Sequence, residues 1–374
     1  MEQSRTATTT PSAERAEESM SLAPPGGRDP WLDNTRLVAA VLIVVMHVCG
    51  QAMARSGVMY ELWFASWPVR VSLFVLVAGF FSSAEPLRGR RAVGLLRNVL
   101  GVYLATDLLA SLLSWATGGS FNYTPASPPF ALWFLLSLFW WRAMLPLLAH
   151  VRYLGVLSVI AALGIGFVTQ IGASFSASRT IAYLPLFVLG WYLRRIDLCS
   201  LVERAWVRPA AWAVLAVTLG GGALWGGQIS RRHYTMRESY AGEGYLEQVP
   251  HVGVRAVLLL AGVAGALAML AVVPRRRIPV LTYLGTGSMY IYVIHALIVG
   301  SSGFRETGWY HEVDTVPEML ALIVLAVLVA FALGSPPVRW LTRWLIQPRY
   351  RWLFRDEVPS TPPLGGAPRR ARHG

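Results

Sequence analysis

The chain has 374 residues, of which 55% are hydrophobic and only 14% charged, with a mean hydropathy of +0.48. A water-soluble fold of this size has too little interior for that much apolar surface, so the composition points to a polytopic membrane protein. The net charge is +13 and no lysine is present, so all 33 cations are arginines; they punctuate the ends of apolar runs, which reads as a topology signal and argues against a nucleic-acid partner.

Residues 1–30 are polar and contain no apolar run, so they are read as a disordered cytoplasmic tail and not as a cleavable signal peptide. Ten apolar runs follow, at 37–54, 62–83, 93–116, 130–149, 153–172, 180–193, 209–229, 252–273, 280–300 and 317–334. Runs this continuous are helices, because lipid leaves no partner for free backbone groups and barrel strands alternate in polarity. The expected fold is all-α, a polytopic transmembrane bundle of about ten spans over 31–338. The stretch 339–374 is a basic amphipathic segment, with Arg alternating with Trp, Leu and Phe up to 354, and then a tail. With the N-terminus inside, only Arg55, Arg179, Arg231, Arg232, Arg237 and Arg305 fall in outside segments. That bias predicts both termini in the cytoplasm. Cys49 lies in an apolar run and Cys199 in a basic segment; neither a disulfide nor a metal centre is expected.

Ionisable groups within spans are costly and therefore candidates for function. Arg36 and His47 are 11 residues apart, which puts them on one helix face about 16 Å apart along the axis. A cation at the inner membrane edge can hold a phosphorylated cytosolic donor, and an imidazole deeper on that face can accept a proton. His295 lies in the outer half of the ninth run and could face the same cavity. The structural alternative is that Arg36 anchors the topology and the histidines bond neighbouring helices. Arg97 and Asp107 share a run without facing each other; Arg70 and Arg142 are also embedded, and Arg255 lies near a span end where it can snorkel.

Five motifs in order carry a resemblance. Asp33-Asn34-Thr35-Arg36, ten residues and then His47 is similar to the opening "LDxxR…H" signature of the acyltransferase-3 family of integral membrane acyltransferases. Leu73-Phe74 with Ala78-Gly79-Phe80 resembles its "PLFFxxSGF" span, with Ala78 where the family has Ser. Leu132-Trp133-Phe134-Leu135 to Arg142, Leu186 to Arg195, and Leu284 to His295 resemble its "LWFL…L", "FxLGYxLRR" and "LGxxSLxIYLLH" stretches. The branch it most resembles is that of fucose 4-O-acetylases.

The resemblance implies a multi-pass enzyme of the cell membrane. It implies transfer of an acyl group, usually acetyl, from acetyl-CoA as donor substrate to a hydroxyl of a carbohydrate or glycosylated acceptor, with no permanently bound cofactor. By motif, His47 is the essential histidine and Arg36 its paired cation, while Arg97, Trp133, Ser288, Tyr292 and His295 occupy substrate-binding positions. Arg88, Arg90 and Arg91 stand where the donor's phosphates are expected. Nothing in the sequence sets an oligomeric state. The competing reading is a transporter or flippase of similar topology, which inverted repeats and paired broken helices would mark; no internal repeat stands out, although Gly164, Gly166 and Gly220 to Gly222 allow bends.

Overall fold

The computed structural model describes residues 29–52, 57–169, 174–240, 242, 244–300, 308, 313, 315–348 and 353. The expected tails, apart from residues 29, 30 and 353, lie outside the described residues. Helix α1 (Pro30–Cys49) opens seven residues before the first apolar run, because the Asp29 carboxylate accepts the Trp31 backbone N–H at 2.9 Å and Pro30 sits at the first helical position. It is followed by α2 (Gly57–Phe80), α3 (Arg90–Ala116), α4 (Phe130–Leu148), α5 (Leu154–Phe167), α6 (Ala177–Ala182), α7 (Leu184–Leu193) and α8 (Val207–Gln228). Then come α9 (Tyr245–Val272), α10 (Pro279–Thr286), α11 (Ser288–Gly300), α12 (Val316–Leu333) and α13 (Pro336–Ile346).

Seven of these helices are long and apolar enough to cross a membrane, or eight if α10 and α11, bent by 67°, count as one span. The fifth and sixth apolar runs form only the shorter helices α5 and α7. No strand occurs among the described residues. The chain is thus an all-α, multi-pass membrane bundle.

Close backbone contacts organise it. A Cβ at Gly79 would overlap the Phe187 carbonyl, and one at Gly190 would overlap that of Leu76, so α2 and α7 cross with their backbones touching. The motif at the start of α1 works as a clamp. Asn34 donates to the carbonyls of Pro274 (2.8 Å) and Arg276 (3.1 Å) and accepts from the Thr282 hydroxyl (2.8 Å). Trp31 Nε1 reaches the Leu270 carbonyl at 3.0 Å. These bonds fix α1 to the end of α9 and the start of α10. Gly285 completes the clamp, since a Cβ there would strike the Asp33 carbonyl.

At the bend between α10 and α11 the Leu284 carbonyl accepts the Gly287 N–H and the Tyr283 carbonyl the Thr286 hydroxyl, and each has a lone pair left for a second donor. Arg339 on α13 serves them, donating to the carbonyls of Tyr283 (2.7 Å), Leu284 (3.0 Å) and Gly334 (2.6 Å) and to the Thr286 hydroxyl (2.9 Å). Its guanidinium occupies the space a side chain at Gly287 would need. The rest of α13 is amphipathic, with Trp340, Leu341 and Trp344 exposed along one side, as suits a helix lying on a bilayer surface.

Gly190→Val should force α2 and α7 apart. The expected result is loss of monodisperse protein in detergent, read by size-exclusion chromatography, whereas Gly220→Ala, where a Cβ meets open space, should elute as the wild type does.

Candidate active site

His47 is half-buried in the last turn of α1, and His295 is buried in the middle of α11. The His47 Nδ1 and His295 Nε2 atoms are 3.0 Å apart, with the rings nearly parallel. The other nitrogen of His295, Nδ1, lies 3.1 Å from the Ile291 carbonyl. A carbonyl only accepts, so His295 Nδ1 carries the hydrogen. In the neutral ring its Nε2 then accepts, and His47 Nδ1 must donate. The chain of bonds therefore assigns the tautomer of His47 and leaves its Nε2 with a bare lone pair, the form a general base requires.

Two further groups fix the imidazole. Phe130, at the head of α4, packs its ring 4.6 Å from that of His47. It does so from a left-handed backbone, with φ of 45°, a strained conformation for a phenylalanine. Tyr292 pins this turn by donating its hydroxyl to the Ala131 carbonyl.

Three of the cavities among the described residues involve the residues singled out from sequence. His47 lines one of about 310 Å³ at the C-terminal end of α1, together with Trp63, Phe130, Trp133, Arg179, Arg231 and Arg237. It also lines a small one of about 40 Å³ with Arg70, Phe74, Trp133, Phe134 and Tyr292. The largest, about 1080 Å³, opens at the other end of the bundle and is lined by Phe81, Arg91, Arg97, Asn98, Arg142 and Tyr290, among others. It shares no wall residue with the other two.

Arg70 is buried in the middle of α2. It spends one donor on the Ser66 hydroxyl at 3.1 Å, and its guanidinium lies 4.5 Å over Trp63. It forms no ion pair with a carboxylate among the described residues. Asp107 is also buried, and neither carboxylate oxygen has a hydrogen-bond partner, but Asp107 lines none of these cavities.

The residues singled out from sequence divide into groups. His47, His295, Trp133 and Tyr292 gather at one place, with Tyr292 acting through the backbone it holds. Arg91 and Arg97 line the large cavity; Arg91 pairs with Glu85, and Arg97, within a π-helical turn over Leu96–Leu100, bonds Asn98 at 3.1 Å. Arg88 and Arg90 are exposed and line no cavity, and Ser288 stands at the first turn of α11, about 10 Å below His295 along the axis.

Arg36 and His47 do not share a cavity. The three turns between them separate the two ends of the bundle. Arg36 pairs with Asp33 at 2.9 Å and covers Phe81, a wall of the large cavity, at 3.5 Å. Phe130, Arg179, Arg231 and Arg237 belong to the site and are not legible from the sequence motifs.

The tautomer can be tested by ¹⁵N-histidine spectroscopy of the protein in nanodiscs. The expected signature for neutral His47 is a protonated Nδ1 and a bare Nε2. A protonated Nε2 would contradict the assigned chain of bonds.

A family model described as an acyltransferase domain, Acyl_transf_3, matches residues 29–335, which begins at the N-cap of α1 and ends just before α13. No curated protein and no solved structure matches the chain. The match spans both histidines and every cavity-lining arginine named above, and the chain belongs to the acyltransferase-3 family of membrane acyltransferases.

Proposed function

We propose that the protein moves an acyl group, acetyl in the first instance, from acyl-CoA to a hydroxyl of a carbohydrate or glycosylated acceptor at the cell membrane. The observation that carries this reading is the bond between His47 Nδ1 and His295, which leaves Nε2 as the basic nitrogen of an imidazole that lines a cavity. The arginine bias supports a cytoplasmic N-terminal end for α1. The large cavity then faces the donor, and its volume suits a nucleotide. Arg91, Arg97 and Arg142 supply cations for its phosphates, and Arg36 adds charge behind Phe81.

The thioester reaches His47 past Phe74, Phe134 and Tyr292, whose rings pack between the two ends. Nε2 takes the proton of the acceptor hydroxyl as its oxygen attacks the thioester carbonyl. The developing oxyanion needs a donor. Tyr292 has already spent its hydroxyl on Ala131. Arg70 has unspent N–H groups in the small cavity beside His47, and this decides between the two in favour of Arg70. Collapse of the tetrahedral intermediate expels the CoA thiolate, which takes the proton back from His47, leaving the ester and free CoA.

A carrier is the weaker reading. It calls for paired broken helices, and one broken span occurs among the described residues.

Purified protein with labelled acetyl-CoA and a glycan acceptor tests the proposal. His47→Ala should abolish label transfer while the protein still inserts and elutes normally; wild-type transfer by this variant would overturn the assignment. Arg70→Gln should lower kcat by about 10²–10³, the usual loss for one oxyanion donor, with a much smaller change in KM.

A further inference from the structure

The outer cavity beside His47 has a composition that an uncharged sugar does not require. Arg179, Arg231 and Arg237 line it, and none of its wall residues is Asp or Glu. Among the described residues none of the three forms an ion pair. Arg179 spends Nε on the Thr235 carbonyl at 3.0 Å and lies 5.0 Å over Trp133; Arg231 lies 5.4 Å over Trp63. The nearby carboxylate goes elsewhere: Glu238, adjacent to Arg237 in sequence, pairs with Arg232 at 3.0 Å, and Arg232 is not a wall residue. Among the described residues, the arginine outside the cavity is thus neutralised and those inside it have no counter-ion.

Backbone strain accompanies this arrangement. Phe175 and Ser176, just before the helix that carries Arg179, have φ of 52° and 57°; Met236, just before Arg237, has 51°. None is glycine, and left-handed backbone at such residues is costly and clusters at functional sites. The hydroxyls that would read a neutral sugar are already engaged. Ser178 donates to the Met236 carbonyl at 3.0 Å, and Ser176 lies 3.1 Å from the Ser137 hydroxyl. What the cavity offers is guanidinium forks, which match carboxylate and phosphate geometry, in a wall that also holds Trp63, Phe130 and Trp133.

We propose that the acceptor is an anionic sugar, carrying a carboxylate or phosphate beside the hydroxyl that is acylated. This rests on the acyl-transfer reading of His47. The anion neutralises the arginine cluster, and in docking there the sugar brings one hydroxyl to His47 Nε2.

The test uses the full chain in nanodiscs of zwitterionic lipid, so that lipid headgroups supply no net anion. Methyl glucoside, methyl glucuronide and glucose 1-phosphate are compared as acceptors for labelled acetyl-CoA. The charged sugars should exceed the neutral one in kcat/KM by about tenfold or more, the worth of one good charge-assisted contact. Which charged sugar leads separates a uronate from a sugar phosphate. In Arg179→Gln and Arg237→Gln the ratio of charged to neutral should fall toward one. Equal use of the neutral sugar by the wild type, or a ratio untouched in both variants, overturns the proposal.

Thermal stabilisation by each sugar without donor provides an independent readout. Stabilisation by the charged sugars alone, lost in the variants, supports the anionic site even if no label moves; absent transfer then counts against the acyltransferase reading instead. No preferential stabilisation by either charged sugar overturns the anionic site.

Discussion

The hydrogen bond between His47 and His295 is the interaction on which the site depends. It joins α1 to α11, and its direction is set by a backbone carbonyl one turn below His295. Two imidazoles alone leave the direction of donation open; the Ile291 carbonyl removes that freedom. An orienting group that acts through the tautomer of a base, without touching substrate, is a recurrent arrangement in acyl transfer. Here a second histidine takes the place of a carboxylate, which spares the membrane interior an extra charge.

That bond needs α1 and α11 in register, and the register is set far from it. Asn34, Trp31 and Gly285 lock the N-terminal end of α1 against the α9–α10 connection, while Arg339 holds the bend through which α11 begins. The same motif that carries Arg36 is therefore also a structural clamp. A substitution at Asn34 would act on the histidines through helix position, about three to four turns away.

The fold class was legible because lipid permits few solutions: long apolar runs separated by arginines must be helices. The number of full spans was less so, since α5 and α7 are too short to judge by hydropathy alone. His47 and His295 stood out as imidazoles in apolar runs at compatible depths; packing brings them into hydrogen-bond contact, with His47 alone lining a cavity. Arg70 and Arg142 were visible as embedded cations, but the ends of the bundle they serve depend on packing. Arg179 and Arg237 resembled ordinary loop arginines. They line the cavity next to left-handed backbone at Phe175, Ser176 and Met236, and non-glycine residues give no warning of that. Phe130 was hidden for the same reason. Ser288 belonged to a motif whose far end, His295, carries the chemistry.

The separation of the large cavity from the two that His47 lines has an electrical consequence. A membrane stores a potential difference, and a continuous wet path through any resident protein would discharge it. In this bundle the large cavity shares no described wall residue with the two that His47 lines, and the rings of Phe74, Phe134 and Tyr292 pack against one another in the wall of the smallest. Such a partition lets reagents from opposite compartments meet at one base without an open pore for protons and salts.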